Sequence, residues 1–409
     1  MNIYAFIVIY IVHYEKYTFM NIAILGTRGV PNYYGGFEQF AAYLSKGLVE
    51  KGHQITVYNS HNHPYQGKEW HGVKIIHCRD LEYRMGTAGQ FIYDLNCILD
   101  ARKRKYDIIL QLGYTSSSVW GWLMPMKTTV VTTNMDGLEW KRTKYNKHVQ
   151  RFLKYAETLA VKYSHHLIAD SLGIQSYLRH KYSKPSLFIP YGADLFREAD
   201  MNFLATYRVL PFQYNMLIAR MEPENNIEMI LDGVVESGSE QPFLVVGKTD
   251  TPFGKHMQHK FKAYNHIRFI GGIFDMAVLN NLRYFANLYF HGHTVGGTNP
   301  SLLEAMASNS LICAHDNIFN KSILGEDAFY FKNYKGVAKL LASKDKKDHQ
   351  HYLLANEGKI KHKYSWEMIV HQYLNHFEDI LGMEKTSFRP SNNNEQEVIA
   401  ITRKITRSS

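Results

Sequence analysis

The regular alternation of short apolar runs with helically spaced apolar residues constrains the fold of this chain more than any other feature. It predicts strands over 21–26, 54–59, 73–78, 107–112, 128–133, 166–170 and 186–190, then over 214–219, 242–247, 267–270, 287–291, 311–315 and 328–331. Repeated strand–helix units form parallel sheets that are covered on both faces. The 409 residues are enough for two such domains, and the pattern breaks near Pro190 and Gly192.

A glycine-rich turn in the second half, HGHTVGGTNPSLLEAMA, has the features of a phosphate site. A glycine pair ending at Gly297 precedes Asn299, a preferred helix N-cap, and Pro300, a preferred first helical residue. The start of such a helix suits a phosphate or pyrophosphate. Glu304 lies one turn into the helix, where a carboxylate can accept hydrogen bonds from ribose hydroxyls. The turn therefore predicts a nucleoside-diphosphate site, although a plain strand–loop–helix turn would share these residues.

A second glycine-rich turn lies near the start of the chain. The apolar run that ends at Leu25 enters a loop containing Gly26, Gly29, Gly35 and Gly36, and helical spacing follows. Neither G-x-G-x-x-G nor G-x-x-x-x-G-K-[ST] occurs there, which argues against a dinucleotide fingerprint and a P-loop. Ligands of open α/β sheets bind at the carboxyl ends of strands. A cleft between two domains would therefore bring the two turns face to face.

The cysteine and histidine content gives no metal motif. The three cysteines have no metal-ligand spacing and are too few for a disulfide framework, so we expect reduced thiols in a cytoplasmic protein. The 21 histidines include close pairs but no H-E-x-x-H, and the chain has no D-x-D motif. These observations favour chemistry without a metal.

The net charge of +10 suits anionic partners such as nucleotide sugars, lipid pyrophosphates or anionic membrane surfaces. Two basic clusters stand out, Arg102–Lys105 and the group Lys141, Arg142, Lys144 and Lys147. Aromatic residues near the second cluster favour peripheral contact with a membrane or a lipid phosphate, and a solvated helix end is the alternative. No nucleic-acid module accompanies the charge, so nucleic-acid binding is not predicted.

Both ends of the chain differ from its middle. Residues 1–19 contain an apolar run from Ile3 to Val12 that is too short to span a bilayer. They lack the features of a signal peptide. We expect a non-native or flexible extension, with a short membrane-contacting segment as the alternative. Residues 385–409 are polar and predict a disordered tail.

Five motifs in order carry a resemblance to a known family: GTRGVPNYYGGFE, NMDGLEWKR, IPYGAD, ARMEPENNIEMIL and HTVGGTNPSLLEAM. The chain resembles the retaining nucleotide-sugar glycosyltransferases of the GT-B fold, and among them the bacterial rhamnosyltransferase-like proteins of capsule and O-antigen synthesis. The resemblance implies an α/β protein with two Rossmann-like, doubly wound domains facing across a cleft. It implies an acceptor-side domain over 20–195, a nucleotide-sugar-binding domain over 196–365 and a crossing helix over 366–384 that returns to the first domain.

The resemblance also assigns roles to individual residues. It implies catalytic roles for Asp136, Arg220 and His293, although Asp136 is equally consistent with capping a turn. The implied donor site comprises Gly35, Gly36, Glu38, Arg220, Asn226, Lys248, Gly297, Thr298, Asn299, Ser301, Leu302 and Glu304. Asn226 stands near the place of a lysine in relatives, and we expect Lys248 to compensate. Acceptor-side candidates are Glu139, Trp140 and Arg142.

The largest departure from the family pattern concerns a pair of glutamates. The pattern places a first glutamate eight positions before the residue matched by Glu304, and this chain has Gly296 there. The loss predicts a sugar with different hydroxyl demands, such as a 6-deoxy sugar, or a shifted role for His293, Thr298 or Asn299. A protein that binds without catalysis is the alternative.

The sequence and its resemblance together predict a metal-independent, retaining hexosyltransferase that needs no cofactor. It would move rhamnose or another deoxy sugar from a dTDP- or UDP-linked donor to a saccharide or lipid-linked saccharide in cell-surface polysaccharide synthesis. We expect a cytoplasmic location, with peripheral contact at the inner face of the membrane. Two alternatives are a non-catalytic nucleotide-sugar-binding partner of a polysaccharide assembly complex and a GT-B sugar-nucleotide epimerase.

Overall fold

The computed structural model describes residues 19–33, 35–142, 145–294 and 297–382, and contains two sheets. The first sheet has the order β3-β4-β2-β1-β5-β6-β7-β8 and is parallel except for the pair β3–β4. Its strands are β1 (Asn21–Leu25), β2 (Gln54–Ser60), β3 (Glu69–Trp70), β4 (Val73–Cys78), β5 (Ile108–Leu112), β6 (Val130–Asn134), β7 (His166–Ala169) and β8 (Leu187–Phe188).

The α-helices of this half are α1 (Gly36–Glu50), α2 (Glu82–Met85), α3 (Ala88–Ala101), α4 (Lys147–Lys162) and α5 (Leu172–Tyr182). Short 3-10 helices cover Ser118–Leu123 and Glu139–Lys141. The predicted extension over 1–19 lies outside the described residues except for its last residue, and the tail over 385–409 lies outside them entirely.

The second sheet is fully parallel, in the order β11-β10-β9-β12-β13-β14. Its strands are β9 (Asn215–Ile218), β10 (Phe243–Val246), β11 (Ile267–Gly271), β12 (Tyr289–His291), β13 (Ile312–His315) and β14 (Phe329–Phe331). Its α-helices are α6 (Ile227–Glu236), α7 (Pro252–Lys260), α8 (Met276–Phe285), α9 (Pro300–Ala307), α10 (Ile318–Leu324), α11 (Tyr334–Ser343) and α12 (Gln350–Lys359). Shorter helices cover Met201–Tyr207, Pro223–Asn225, Lys346–His349 and Ile360–Tyr364.

The strand order reverses direction between β1 and β5 in the first sheet and between β9 and β12 in the second. Chain segments that leave neighbouring strands at such a point diverge and open a crevice at the carboxyl edge of the sheet. The glycine loop after β1, Arg220 after β9 and the turn after β12 all lie at these two points. The fold therefore places both glycine turns where ligands of this architecture bind.

The last helix, α13 (Trp366–Leu381), packs against the first domain. Trp366 stacks on Tyr43 of α1 with ring centroids 4.4 Å apart, and Val370 covers Gly47 so closely that a Cβ there would lie 2.7 Å from it. Asn134, at the end of β6, donates a 3.0 Å hydrogen bond to the hydroxyl of Tyr373. The exact domain boundaries stay a prediction.

Every predicted strand is confirmed, and only β3 was not expected. Two residues at a sheet edge carry no periodicity that a sequence pattern can detect. One apolar core contains buried residues of both sheets and of α13, for example Ile24, Met216 and Ile369. The two domains are thus joined by a shared apolar contact.

Candidate functional site

The turn between β12 and α9 forms as the sequence predicts. Asn299 caps the helix, because its side-chain oxygen accepts a 2.9 Å hydrogen bond from the Ser301 amide, and Pro300 occupies the first helical position. Leu302 differs from the prediction: its side chain is buried in the core, and its amide bonds to the Asn299 carbonyl. Leu302 is therefore a packing residue. Gly296, and with it the predicted effect of the missing glutamate, lies outside the described residues.

The N-terminus of α1 lies directly opposite this turn. A Cβ placed on Gly36 would be 3.6 Å from Pro300 Cγ, so helix starts from the two domains meet across the cleft. Among the described residues no side chain caps α1, whereas Asn299 caps α9. The uncapped N–H groups and the positive dipole end of α1 are therefore available to an anion. Gly35 and Gly36, both exposed, leave room for its approach.

Glu38 is held by a contact within its own domain. Its Oε1 accepts a 3.0 Å hydrogen bond from the Arg28 amide, and the side chain is buried. Glu38 thus holds the glycine loop against the start of α1. This contact gives Glu38 a positioning role, and its contact with the donor stays a prediction.

Glu304 is held by residues that were not predicted. Its Oε2 lies 2.5 Å from a guanidinium nitrogen of Arg283, which is 1% exposed, and its Oε1 accepts from Gln39 Nε2 at 3.2 Å. Arg283 also donates to Ser301 Oγ at 3.3 Å, and this hydroxyl bonds to Tyr289. The carboxylate is therefore fixed at the start of α9, and Ser301 supports that network. The only sequence signal for Arg283 is a cation in the largely apolar helix MAVLNNLRYF.

Arg220 is exposed, two residues beyond the end of β9. Its carbonyl accepts hydrogen bonds from Asn225 Nδ2 at 2.7 Å and from the Glu222 amide at 2.8 Å. These bonds fix a tight turn of the backbone after Arg220. Its positive charge lowers the pKa of His293, after the larger effect of burial. Arg220 therefore lies at the cleft, free to reach an anion.

Asn226 and Lys248 are the two residues expected to complete the phosphate site, and they lie in different surroundings. Asn226 adopts a left-handed backbone conformation, with φ of 49°, and its Nδ2 donates to the Gly292 carbonyl at 2.7 Å. The amide thus ties two loops of the second sheet together. Lys248 is exposed after β10, with Nζ 5.1 Å from the ring centre of Phe274. A phosphate role for Lys248 stays a prediction.

His291 and His293 form a stacked pair beside Arg220, with ring centroids 4.4 Å apart. Burial lowers the pKa of His291, and burial with the charges of Arg220 and Arg142 lowers the pKa of His293 to about 3. Both rings are therefore neutral at pH 7. Among the described residues, Nδ1 of His293 and both ring nitrogens of His291 have no hydrogen-bond partner. The pair can hydrogen-bond a neutral hydroxyl but cannot supply charge to a phosphate.

The loop after β6 brings three predicted residues together. Asp136 has a left-handed backbone with φ of 54°, and its amide donates to Asn134 Oδ1 at 3.0 Å. Glu139 pairs with Arg142 at 2.6 Å, and their side chains are only 13% and 16% exposed. Burial raises the pKa of Glu139, and the neighbouring Asp136 charge adds to this. The loop thus presents closely coupled charges at the edge of the cleft.

Trp140 and the second basic cluster differ from expectation. Trp140 Nε1 donates to buried Glu157 at 2.9 Å, and Lys154 Nζ lies 5.0 Å above its ring, which gives Trp140 a packing role between helices. Arg142 is engaged with Glu139, and Lys144 lies outside the described residues. Arg142 is therefore not part of an exposed basic patch.

Asp170 is absent from the residues predicted from the sequence, yet it contacts the turn before α9 of the other domain. It follows β7, is 1% exposed, and its Oδ1 has no partner among the described residues. Burial raises its pKa well above the usual range, and Asp136 adds to the effect. Thr298 Oγ1 donates to its carbonyl, and a Cβ on Gly297 would lie 1.8 Å from Oδ1. Gly297 is thus required for this approach.

Within the described residues, no three or more His, Cys, Asp or Glu side chains group as metal ligands. Cys78, Cys97 and Cys313 are buried free thiols. No helix in the described part of the chain is both long enough and apolar enough to span a bilayer.

Comparisons with known proteins place this geometry among solved structures. Residues 19–194 match the family described as Domain of unknown function (DUF1972), and no curated protein sequence matches the chain. A sucrose-phosphate synthase from Thermosynechococcus elongatus has a TM-score of 0.73 at 15% identity, covering 89% of this chain and 99% of its own. Anabaena HepE with UDP and glucose has a TM-score of 0.69 at 14% identity, covering 88% and 100%. A glycosyltransferase from Rickettsia africae ESF-5 has a TM-score of 0.61 at 13% identity, covering 89% and 99%.

These neighbours span nearly their whole lengths on this chain, so both sheets and their relative arrangement are matched together. The identities are too low to carry over a substrate. The chain has the GT-B fold, in which two doubly wound α/β domains face each other across a cleft.

Proposed function

We propose that this protein is a glycosyltransferase that binds a nucleoside-diphosphate sugar between its two domains. The observation that carries the proposal is the meeting of two helix starts, with Gly36 of α1 against Pro300 of α9. Two positive dipole ends converge on one point of the cleft, which suits the charge of a diphosphate. The known complexes of Anabaena HepE with UDP and with UDP-glucose support a donor of this class.

The donor phosphates would accept hydrogen bonds from the uncapped N–H groups of α1 and from the guanidinium of Arg220. This differs from the expectation that the Gly297–Ser301 turn binds them, because Asn299 already occupies the Ser301 amide. The ribose hydroxyls would meet Glu304, whose position Arg283 fixes. The neutral histidine pair ending at His293 would face the sugar.

Transfer breaks the bond between the anomeric carbon and the phosphate oxygen and joins that carbon to an acceptor hydroxyl oxygen. Negative charge grows on the leaving diphosphate, and Arg220 and the α1 dipole stabilise it where it develops. The acceptor hydroxyl loses its proton, with Asp136 as the proposed acceptor of that proton. Closure of the domains around Gly297 and Asp170 excludes water, which would otherwise hydrolyse the donor.

The finer identity of the reaction rests on the resemblance. We propose a dTDP- or UDP-linked donor, rhamnose or another deoxy sugar, transfer with retention and without a metal, and a saccharide or lipid-linked acceptor near Glu139 and Arg142. Gly296, which stands in place of the usual glutamate, supports a sugar with different hydroxyl groups from the usual hexoses, such as a 6-deoxy sugar. The biological setting proposed is cell-surface polysaccharide synthesis.

The test is a panel of nucleotide sugars in the absence of added metal, with Arg220→Ala as the inactive control. Thermal stabilisation by one donor identifies the ligand. Nucleotide release that requires a lipid-linked saccharide extract establishes transfer. Stabilisation without release would favour a binding partner, and acceptor-independent conversion of the free donor to its epimer would favour an epimerase. Absence of stabilisation by any donor would refute the proposal.

A further inference from the structure

The outer face of helices α4 and α5 carries several exposed cations, and the segment that forms it has no exposed carboxylate between residues 141 and 185. Between residues 141 and 185 the sequence has only two acidic residues, Glu157 and Asp170, and each is 1% exposed. The exposed cations of the two helices are Lys147, Arg151, Lys154, Lys162, Arg179 and Lys181. We call this surface the basic helix pair. It therefore presents one sign of charge over the length of α4, which is 16 residues.

Glu157 explains why the pair stays cationic. This carboxylate accepts from Trp140 Nε1 at 2.9 Å, from Lys181 Nζ at 2.7 Å and from the hydroxyls of Tyr177 and Tyr182 at 2.8 and 2.7 Å. Its lone pairs are used inside the protein, where they join α4 to α5. The one carboxylate of α4 thus orders the two helices and pairs with Lys181 alone among the cations of the basic helix pair, which leaves Lys147, Arg151, Lys154, Lys162 and Arg179 on the outer face.

Exposed aromatic and apolar side chains lie on α4 and on an element that packs against it. On α4, Tyr155 is 60% exposed and Val149 is 36% exposed. Trp122 is 62% exposed on the 3-10 helix Ser118–Leu123, which packs on α4 through close contact of Gly121 with Tyr163. Tryptophan and tyrosine beside lysine and arginine are the composition that favours the boundary between lipid headgroups and acyl chains.

The basic helix pair begins at the mouth of the cleft. Asn146 caps α4 by accepting hydrogen bonds from two amides at 3.0 Å, and it directly follows the Glu139–Arg142 loop. The neighbouring Tyr145 lies close enough to the second domain for the charges of Arg220 and Glu222 to act on its pKa. A surface that contacts α4 would therefore also lie beside the cleft.

We propose that the basic helix pair docks on an anionic phospholipid bilayer and holds the mouth of the cleft at the membrane surface. Charge complementarity supports a bilayer, since juxtaposed lysines and arginines each strengthen binding to anionic lipid roughly fivefold. The exposed aromatics support a bilayer over a purely polyanionic partner. Delivery of a lipid-linked acceptor to the cleft rests on the proposed function, but the docking itself does not.

The experiment is flotation of the full chain with vesicles of phosphatidylcholine alone and of phosphatidylcholine mixed with phosphatidylglycerol. We expect binding only to the anionic vesicles, weakened by salt because exposed charges are screened. The double variant Lys147→Gln/Arg151→Gln should bind roughly 25-fold more weakly, since two cations are lost. Both side chains are exposed, and neither contributes to the Glu157 network.

The matched control is Lys335→Gln/Lys339→Gln, which removes the same charge at the same spacing from exposed positions of α11. It should bind vesicles like the unmodified protein. Equal weakening in both variants, or equal binding to neutral vesicles, would overturn the proposal. The proposal would also be overturned if Lys147→Gln/Arg151→Gln lost binding to single-stranded RNA but kept its binding to vesicles, since the face would then be a nucleic-acid site. Donor turnover with a soluble acceptor should be unchanged in both variants, and its absence in the unmodified protein would count against the transferase proposal alone.

Discussion

Gln39 on α1 of one domain donates a hydrogen bond of 3.2 Å to Glu304 on α9 of the other domain. The other oxygen of that carboxylate is paired with Arg283, so a single side chain joins the domain contact to the interior of the second domain. A donor whose ribose engages Glu304 would therefore affect the contact between the domains. Closure and donor binding are expected to be energetically coupled.

The Gln39→Ala variant should retain its stability and bind the donor more weakly. A hydrogen bond to a charged group contributes about 1.5–3 kcal/mol, and we expect this one to form only when the domains are closed, because it joins one domain to the other. A double-mutant cycle with Glu304→Gln, read by donor affinity, measures the coupling. Strictly additive effects of the two changes would show that this contact plays no part in donor binding.

The Glu304→Ala variant should lose both stability and donor affinity. It leaves Arg283, which is 1% exposed, without its anionic partner. Breaking one side of a buried ion pair costs about 3–5 kcal/mol, whereas replacing both partners with apolar residues is often neutral. The pair Arg283→Met/Glu304→Leu should therefore recover the free energy of unfolding but not the affinity for donor. Recovery of affinity as well would remove Glu304 from the donor site.

The Arg220→Ala variant should lower kcat by roughly 10²–10³-fold, the usual effect of removing one preorganised electrostatic group. Its side chain is exposed, so the free energy of unfolding should hardly change. Arg220→Lys should recover part of the rate, because it keeps the charge but not the planar fork. Steady-state kinetics with the donor identified by the panel measures both. Equal rates for all three proteins would contradict the phosphate assignment.

The Gly297→Ala variant should hold the cleft open. The added Cβ would lie 1.8 Å from Asp170 Oδ1, and because Asp170 is buried we expect the domains to move apart rather than the side chain to turn away. Each 1.4 kcal/mol of lost closure free energy weakens donor binding about tenfold. The second change Asp170→Ala shortens the opposing side chain and should restore affinity. Small-angle scattering with donor present would report the open form, and an unaltered scattering profile for Gly297→Ala would argue against this contact as a closure element.

Stability should fall as the solution is acidified, partly because of His376. Burial lowers its pKa to about 4, and its Nε2 lies 3.0 Å from Thr132 Oγ1. The unfolded chain binds a proton near pH 6.5, so it holds more protons than the native state between the two pKa values, and stability rises with pH there. The loss on going down to pH 4 is about 3 kcal/mol for this group. Urea unfolding should show a shallower acid dependence for His376→Gln than for the exposed control His362→Gln.

The fold was largely predictable because its determinants are local and repeated. Apolar runs and helical spacing located every strand but the two-residue β3, and the Asn299–Pro300 pair located the start of α9. The second glycine turn was placed correctly for the same reason: tight turns at strand ends carry their own residue types.

The candidate site was only partly predictable because its supporting contacts are long-range. Arg283, Gln39 and Asp170 reach the site from separate segments, and a charged residue in an apolar run does not reveal its partner. Trp140 was expected at the acceptor side because it follows Asp136 in the chain, yet its hydrogen bond to Glu157 holds it between two helices. Sequence proximity predicted the loop but not the direction of that side chain.

The packing of α13 on α1 has a consequence for how the molecule can be divided. The matched segment over 19–194 contains the whole first sheet but not Trp366, which stacks on Tyr43 and lies against Gly192. Cut out on its own, that segment would present an unfilled aromatic groove, and a peptide of residues 366–381 supplied separately should bind there. The first domain is in this sense incomplete on its own, because the helix that completes its packing follows the second domain in the chain.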